Sequence, residues 1–331
     1  MFALLVGSLL IIAIMLDAFK TTLTTRGSGF LSGPFTFMVR RAIGVLHRIG
    51  GRRNILIHAG PLTLIMLVML WLLILWAGWT LVFMGLENGI GNDQHQRPTL
   101  AGYIYYAGFT LSTLGIGDLM PQTNAARVLT SVAAFNGLIL VTLVISYSIP
   151  IVNGVINRRK LAFSLALLGK NVTSLLINTW NHEDFRQLEQ SLHQVGPEII
   201  HCAENQLAYP VLDYFYTLEA EFSLGLQIAM LDEALTILIA GINETQLPSS
   251  LTLQQSREIL FLYISRSHEA THPTKANVPP LPTITSLATS GLPLKSQQIF
   301  EENMRDYDHR RCLLHKLVLH EGWKWSDITT Q

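Results

Sequence analysis

The sequence predicts an all-α membrane protein whose C-terminal half folds as a helical cytoplasmic domain. Of its 331 residues, 49% are hydrophobic and only 14% are charged, whereas soluble domains usually carry about 25% charged residues. Three stretches in the first half contain no charged residue, and each is long enough, or nearly so, to cross a bilayer. The tail from Leu161 onward holds nineteen acidic and eleven basic residues, which is typical of a solvated domain.

Residues 1–19 form the first predicted transmembrane helix. Met1–Leu16 is uncharged and rich in Leu and Ile, and a helix of that size reaches about 24–28 Å, just enough to span. A cleaved signal peptide is the competing interpretation, but neither a basic N-terminal region nor a small-residue cleavage site is visible. Asp17 and Lys20 are then expected to mark the cytoplasmic end of this helix.

Residues 20–60 form a basic segment that is predicted to lie at the cytoplasmic membrane surface. Ala18–Gly60 holds seven Lys or Arg residues and no Asp or Glu, which favours a position beside anionic lipid. From Pro34 onward, apolar residues recur at helical spacing, which is typical of an interfacial helix. A solvated connector is the alternative interpretation.

Two further uncharged runs follow. Pro61–Gly85 carries three tryptophans and is the clearest span, and Val128–Asn157 could extend about 45 Å and emerge in the cytoplasm. Arginines do not recur at every third position in any span, so a voltage-sensing helix of the usual kind is not predicted. The basic residues Arg158, Arg159 and Lys160 place the end of the last run inside. We therefore expect a multi-pass protein of the plasma or inner membrane, with its N-terminus outside and its C-terminus inside.

Between these two runs lies a short segment with an unusual pattern. After a polar turret, Glu87–Pro98, and a run too short to span, Thr99–Ser112, two glycines alternate with apolar residues. The six residues are Thr113, Leu114, Gly115, Ile116, Gly117 and Asp118. Glycine permits backbone geometry that a Cβ forbids, and extended backbone at membrane depth must be buried in protein or line a watery path. Backbone carbonyls on such a path can replace the hydration shell of a cation.

This segment resembles the selectivity filter of potassium channels, usually written Thr-Val-Gly-Tyr-Gly-Asp, and we call it the filter segment. Tyr105 and Tyr106 lie where that family often has paired aromatic residues in the pore helix, and Leu119 and Pro121 follow the aspartate as they commonly do. The chain is thus similar to pore-loop potassium channels of the two-transmembrane type over about residues 60–155.

The resemblance implies a pore domain, residues 61–155, built from two spans, a re-entrant pore helix and a filter. Each chain supplies one pore loop, so a homotetramer is the simplest assembly. The carbonyls of Thr113 to Ile116 would bind permeant K⁺, and Asp118 would stabilise the filter from behind. Gly137 is a candidate gating hinge, although close helix packing explains a glycine equally well. Pro150 is a second candidate, because proline lacks a backbone N–H.

Two positions depart from the family pattern. Ile116 replaces the usual Tyr or Phe and cannot donate the lateral hydrogen bond that the tyrosine makes, so we expect a less rigid filter. Phe109 stands where some members carry an acidic partner for the filter aspartate. A potassium-selective channel is therefore predicted, with a non-selective cation channel, or a membrane-anchored sensor with a vestigial pore, as the alternatives.

The tail, residues 156–331, is predicted to be a helical cytoplasmic domain. Glu183 and Asp184 are expected in the first turn of a helix that stops near Gly196-Pro197, and Thr252 with Gln255 forms a capping-box pattern.

Later in the tail, Leu218–Ile242 is apolar enough to mimic a span, but its four acidic residues favour a buried soluble helix. The five prolines of residues 271–295 predict a flexible linker, and a final charged helix is expected at Ser296–His320.

The tail shows no clear pattern of catalytic, cofactor-binding or metal-ligating residues. The residues His309, Cys312, His315 and His320 invite a zinc interpretation, but their spacing drifts round a helix and completes no ligand pattern. We see neither a Gly-x-Gly-x-x-Gly fingerprint nor a nucleophile–base constellation, so neither an enzyme nor a cofactor beyond permeant K⁺ is predicted. Two cysteines suit a reducing cytoplasm. The ligand or partner of this domain is left open, and nucleic-acid binding is not predicted.

Overall fold

The structure, a computed structural model, describes residues 1–24, 28–50, 54–269, 277–282 and 285–329. The chain divides into two units, of which the first comprises Met1–Val45 and Pro61–Val152 and the second Leu46–Gly60 and Asn153–Gln331. Parts of the predicted basic segment (25–27 and 51–53) and of the proline-rich segment (271–276 and 283–284) lie outside the described residues. The described chain is mostly helical, which confirms the predicted all-α class.

Long helices and one short ribbon precede the tail. In chain order the elements are α1 (Phe2–Leu23), α2 (Ser32–Gly50), α3 (Asn54–Ile57), α4 (Ala59–Gly85), β1 (Ile90–Gly91), α5 (Leu100–Leu111), β2 (Met120–Pro121) and α6 (Asn124–Ala166). Helices α1, α4 and α6 are long and apolar enough to cross a membrane. They coincide with the three uncharged runs, and α6 continues beyond the basic residues that were expected to end its crossing.

Asp17, which was expected at the cytoplasmic end of α1, is a buried member of a hydrogen-bonded cluster. Its side chain is fully buried, and it accepts the backbone N–H groups of Leu31 at 2.7 Å and Ser32 at 3.2 Å, together with the Ser32 hydroxyl. The Trp71 indole N–H also donates to it, at 3.1 Å. Because the first N–H groups of a helix lack intrahelical partners, Asp17 of α1 caps the start of α2. The cluster joins α1, α2 and α4, and its donors replace the water that the carboxylate has lost.

Replacing Trp71 by phenylalanine is expected to destabilise the first unit by about 1.5–3 kcal/mol, because a hydrogen bond to a charged group is lost while the apolar ring remains. The measurement is the thermal midpoint of the detergent-solubilised protein. Trp79→Phe is the matched control. Trp79 is buried, and its Nε1 has no hydrogen-bond partner among the described residues. Equal decreases in the thermal midpoint for the two substitutions would contradict a stabilising role for the Trp71 N–H.

The second unit is a helical domain built around one central helix. Its further elements are α7 (Val172–Thr179), α8 (Arg186–Ala208), α9 (Leu224–Gly241), α10 (Ser250–Glu269), α11 (Thr285–Thr289), α12 (Gln297–Arg305), α13 (Asp308–His320) and α14 (Ser326–Thr329). Short 3-10 helices lie at Pro210–Tyr214, Ala220–Phe222 and Glu244–Gln246. Helix α9 is apolar enough to span a membrane, but 94% of its most apolar stretch is buried within the protein. The predicted burial of this helix is thereby confirmed, although the helix begins at Leu224 and not at Leu218.

The acidic residues of α9 are paired with arginines of α13. Arg310 binds Asp232 through two hydrogen bonds, of 2.8 and 2.6 Å, and Arg311 donates to Glu233 at 2.9 Å. These pairs satisfy carboxylates that would otherwise be too costly to bury. They explain how a helix with acidic residues forms the core of this unit.

Two helix boundaries differ from the sequence prediction. Helix α8 begins after Glu183 and Asp184 and runs through Gly196-Pro197 to Ala208, because its packing against α10 outweighs the local cost of glycine and proline. Helix α10 is capped by the Ser249 hydroxyl, which accepts the N–H of Thr252 at 3.1 Å. Thr252 therefore lies inside the first turn, and its predicted capping role was wrong.

The last part of the chain is also more ordered than expected. The predicted final helix is two helices, α12 and α13, which are separated at Asp306–Tyr307. In the segment predicted to be a flexible linker, Leu287 and Leu292 are buried in the core of the unit, and Leu294 forms a β-bridge with Ile242. These apolar side chains find places in the core around α9, which the high proline content of the segment does not indicate.

Candidate functional site

The short helix α5 leads directly to the filter segment. The Thr99 hydroxyl caps its start by accepting the N–H of Gly102 at 3.3 Å. The helix contains 12 residues and ends at Leu111, so it falls one residue inside each end of the predicted pore helix. A helix of this length extends about 18 Å and cannot span a bilayer. It therefore has the length expected of a re-entrant helix.

Helix α5 is held by both of its long neighbours. Tyr106 is buried, and its hydroxyl lies 2.7 Å from that of Thr130 on α6. The Tyr106 ring meets Phe83 of α4 edge to face, with 4.9 Å between the ring centres. The Trp76 indole of α4 donates to the carbonyl of Ile104 at 2.8 Å. These contacts fix the position from which the filter segment emerges.

The filter segment turns back over the end of α5. The N–H of Leu114 donates to the carbonyl of Phe109 at 2.9 Å, and the N–H of Gly115 reaches the same oxygen at 3.5 Å. The N–H of Thr113 donates to the carbonyl of Thr110 at 3.1 Å. The last carbonyls of the helix are thus used to hold the first half of the filter segment.

The backbone of the filter segment alternates in handedness. The φ angle is +59° at Thr113, +57° at Gly115 and +90° at Gly117, while Leu114 and Ile116 between them lie outside the positive region. Alternation of this kind can form a nest, in which successive N–H groups share one side of the chain. The N–H groups of Leu114 and Gly115 both point to the Phe109 carbonyl, which agrees with such an arrangement.

Glycine is required at positions 115 and 117 because of the backbone conformation there, and not because a side chain would clash with a neighbour. A Cβ at Gly115 or Gly117 would have nothing within 4 Å among the described residues, but a left-handed conformation costs a residue with a side chain about 1–2 kcal/mol. Thr113 adopts such a conformation although it is β-branched. Backbone strain of this kind concentrates at functional sites, and here it lies at the first residue of the filter segment.

Asp118 closes the filter segment and faces a tyrosine of α5. Its carboxylate accepts the N–H of Leu119 at 3.0 Å, and the Tyr105 phenol lies within interaction range of it. Phe109, which cannot make a polar contact, packs against Tyr105 and Tyr106 with ring centres 5.1 and 5.0 Å apart. The sequence indicated Tyr105 only as one of two paired aromatic residues of the pore helix.

A small ribbon ties the polar turret to the chain that follows the filter segment. Ile90 pairs with Pro121 and Gly91 with Met120, in antiparallel register, and the N–H of Gln122 donates to the carbonyl of Gly89 at 2.8 Å. Strands of two residues have no detectable apolar alternation, so the sequence predicted only a turret here. The ribbon fixes the point at which the chain leaves the filter segment.

Gly137 of α6 packs against the end of α5. A Cβ on Gly137 would overlap the carbonyl oxygen and carbon of Leu111, so only glycine allows this approach. Close packing therefore accounts for the residue, and a hinge at Gly137 stays a prediction. Pro150 lies within α6, and its predicted role in gating likewise stays a prediction.

Gly137→Ala is expected to destabilise the first unit by about 1–3 kcal/mol, the usual cost of overpacking. The thermal midpoint measures this loss. Gly196→Ala in α8 is the control, because a Cβ there would approach only the end of the Ile259 side chain, at 3.3 Å, and alanine favours a helix over glycine. An unchanged midpoint for Gly137→Ala would contradict the packing explanation and favour the hinge.

Helix α6 leaves one face uncovered by its own chain. At about 100° per residue, its buried residues lie along one side of the helix: Ala126, Ala133, Gly137, Leu140, Tyr147 and Ile151. Exposed residues lie along the opposite side: Ser131, Phe135, Leu138, Thr142, Ser146 and Ile149. Three of these are polar, and polar groups at membrane depth avoid lipid. This face therefore suits a watery path or another protein chain.

The candidate metal ligands do not converge. Among the described residues, we find no group of three His, Cys, Asp or Glu side chains that could hold a metal ion. His315 instead contacts the carbonyl of Asn277 at 2.8 Å, and His309 is exposed. Burial raises the pKa of the Cys202 thiol to about 11, so this cysteine is protonated and unreactive at neutral pH.

The spans, the re-entrant helix and the filter segment together define a class of protein. A family model described as "Ion channel" matches residues 68–152, which include most of α4, all of α5, the filter segment and the first part of α6. The chain belongs to the pore-loop ion channel family, with a pore unit of the two-transmembrane type. It is a multi-pass membrane protein and an ion channel.

One relative is similar to the chain over nearly its whole length. It is the uncharacterized membrane protein YdjJ of Bacillus subtilis (strain 168), which is 30% identical over 323 residues, or 96% of this chain and 94% of that protein. The similarity thus includes the second unit as well as the pore. No solved structure matches the chain.

Proposed function

We propose that the protein is a potassium-preferring channel in which four copies surround one axis. The carbonyls of Thr113, Leu114, Gly115 and Ile116, with the Thr113 hydroxyl, replace the hydration shell of K⁺, and ions pass by displacement between adjacent sites. The observation that carries this proposal is the alternation of φ along the filter segment, because such an alternation favours carbonyls on one side of the chain.

The exposure of the filter segment supports an assembly of several chains. All six of its residues are exposed in the single chain, with Leu114 67% and Ile116 53% exposed. Backbone at membrane depth must be surrounded by protein or water, and one chain supplies neither around this segment. The uncovered face of α6, which includes Ser131, Thr142 and Ser146, is also available for a second chain. A homotetramer predicts a native mass about four times the chain mass of 36.9 kDa.

The end of α5 supports the choice of a cation. The C-terminus of a helix carries a partial negative charge of about half an elementary charge, and α5 ends at Leu111, two residues before Thr113. The carboxylate of Asp118 adds a full negative charge at the other end of the filter segment. Both features favour a positive ion over an anion.

A non-selective cation channel is the second candidate, and Ile116 is the observation that favours it. Its side chain is 53% exposed and has no group that could donate a hydrogen bond. A filter that is not braced at this position discriminates less sharply between ions of different size. Potassium preference comes first because both glycines of the segment stand at positive-φ positions that alternate along it.

We also propose how the chain is oriented in the membrane and what surrounds its cytoplasmic parts. The N-terminus lies outside and the C-terminus inside the plasma or inner membrane, because the basic residues of segment 20–60 and of Arg158–Lys160 remain in the cytoplasm. Segment 20–60 lies beside anionic lipid. The second unit is the cytoplasmic domain, and it receives a ligand or partner other than nucleic acid.

Cation flux into liposomes tests the proposal. The purified chain is reconstituted, and uptake of K⁺ is compared with uptake of Na⁺ under equal gradients. Potassium preference predicts K⁺ uptake at least about tenfold faster than Na⁺ uptake, as backbone-carbonyl filters discriminate between these ions. Equal rates would favour the non-selective channel, and an absence of both would favour a sensor with a vestigial pore.

A further inference from the structure

A proline-rich stretch of the second unit is bound through its backbone. Residues 277–282 have the sequence Asn-Val-Pro-Pro-Leu-Pro and lie outside every helix and strand of the described chain. Proline fixes its own φ at about −65° and pushes the preceding residue towards an extended conformation, so this sequence favours an extended segment. The carbonyls of such a segment have no hydrogen-bond partner within it. We call residues 277–282 the proline segment.

Two side chains of α13 contact three of these carbonyls. The Arg311 guanidinium donates to the carbonyl of Pro279 at 3.1 Å and to that of Pro280 at 2.8 Å. One helical turn later, Nδ1 of His315 lies 2.8 Å from the carbonyl oxygen of Asn277. Because a carbonyl can only accept, Nδ1 is the protonated ring nitrogen. The proline segment is therefore recognised through oxygens that any extended, proline-rich chain presents.

These donors are held in place by groups outside the proline segment. Glu233 of α9 accepts from Nε of Arg311 at 2.9 Å and balances its charge. The centre of the Trp325 ring, just before α14, lies 5.9 Å from the Arg311 guanidinium carbon and 5.6 Å from the centre of the His315 ring. Since Arg311 keeps Glu233 as its partner, exchange of the segment bound to it leaves no charge uncompensated.

The proline segment uses few of its side chains in this contact. Pro279 is buried, whereas Val278 is 45% and Leu281 41% exposed. One proline ring and three carbonyls therefore account for most of the recognition. Sites that recognise proline-rich chains in this way accept a class of peptides, because the extended conformation is preformed and loses little entropy on binding.

We propose that Arg311, His315 and Trp325 form a binding site for a proline-rich segment of another protein. The chain fills this site with its own proline segment when no such partner is bound. The partner is an extended peptide with adjacent prolines, whose carbonyls take the places of those of Asn277, Pro279 and Pro280. This inference rests on the proposed function only in giving the second unit a cytoplasmic partner, and it needs no ion conduction.

Peptide binding to the full-length protein in detergent tests the proposal. The probe is a fluorescent peptide with the sequence of residues 277–282, and anisotropy measures its affinity for the wild type and for the double variant Pro279→Gly/Pro280→Gly. Glycine removes the buried ring and the fixed φ, so the attached segment competes less. A tethered competitor acts at millimolar effective concentration, and we therefore expect at least about tenfold tighter binding to the double variant.

Two controls separate recognition of the peptide from non-specific binding. A peptide with alanine in place of its three prolines lacks the preformed conformation and should bind at least about tenfold more weakly. His315→Phe, added to the double variant, keeps a ring beside Trp325 but removes a donor. It should weaken binding of the proline peptide by about two- to tenfold, the effect of one hydrogen bond.

Photo-cross-linking to the wild type keeps the test independent of how well the glycine variant folds. The peptide carries a photoreactive group at the position of Leu281, and at about millimolar concentration it should label α13 or α14. Equal affinity of the wild type and the double variant, equal binding of the alanine peptide, or labelling confined to other elements would each overturn the proposal. A lower native mass of the double variant would show that the proline segment instead holds a second copy of the chain, and would overturn it too. None of these measurements depends on current, so their failure is distinct from a failure of potassium preference.

Discussion

Gly115→Ala and Gly117→Ala are each expected to reduce potassium conduction by about 100-fold or more. The backbone adopts φ of +57° and +90° at these positions, and a side chain makes such angles unfavourable by about 1–2 kcal/mol per residue. In a tetramer this cost recurs in every copy around the same pathway. The carbonyls then rotate out of their common side. The measurement is macroscopic K⁺ current at a constant amount of reconstituted protein.

Gly291→Ala is the matched control for these substitutions. Gly291 lies in the second unit with φ of +77°, and a Cβ there would have nothing within 4 Å among the described residues. It therefore carries a similar backbone cost in equally open space, away from the filter segment. We expect its current to stay within about twofold of the wild type, since a surface strain of 1–2 kcal/mol leaves the fold largely populated. Equal loss of current in all three variants would contradict a special role for the filter segment.

Arg311→Leu is expected to destabilise the cytoplasmic domain by about 3–5 kcal/mol, because it leaves the buried Glu233 without its partner. Both side chains are fully buried, and Arg311 also donates to the carbonyls of Pro279 at 3.1 Å and Pro280 at 2.8 Å. The measurement is the free energy of unfolding of the second unit within the full chain, followed by denaturant titration.

The effect of pH on this variant has a definite sign. Burial already raises the pKa of Glu233 despite the opposing influence of Arg311, and loss of the arginine raises it further. A folded pKa above the unfolded value of about 4.3 means that the folded state binds more protons, so stability falls as the pH rises from that value through the folded pKa. The defect of Arg311→Leu should therefore be larger at about pH 8 than at about pH 5. The opposite trend would contradict an unpaired buried carboxylate.

Arg186→Ala is the control for this ion pair. Arg186 contacts Asp184 at 3.2 Å, but its side chain is 76% exposed. Exposed ion pairs contribute only about 0–1 kcal/mol to stability. This substitution should therefore leave the free energy of unfolding of the second unit almost unchanged. Similar losses for Arg186→Ala and Arg311→Leu would show that burial does not decide the strength of these pairs.

The helices of the first unit could be predicted because each is indicated by a run of consecutive residues in the sequence. Runs without charged residues indicated α1, α4 and α6, and a short apolar run after a turret indicated α5 to within one residue at each end. The filter segment could be recognised because its two glycines lie two positions apart within six consecutive residues. Its alternating φ angles are consistent with that expectation.

The remaining features depend on residues that are distant in sequence. The burial of Asp17 could not be predicted, because its partners Leu31, Ser32 and Trp71 lie 14 to 54 positions away. Arg158 was interpreted only as a stop signal, since nothing local indicates its pairing with Glu321. Periodicity describes the faces of one helix, and it cannot identify which side chain of another segment will satisfy a buried charge.

The reversal potential of the wild-type channel tests the central claim most directly. Purified protein in a planar bilayer, with K⁺ on one side and Na⁺ on the other at equal concentration, gives the ratio of the two permeabilities. A filter built from the carbonyls of Thr113 to Ile116 predicts a strongly shifted reversal potential, on the side that marks K⁺ as the permeant ion. A reversal potential near zero, with robust current, would contradict potassium preference and leave a non-selective cation channel.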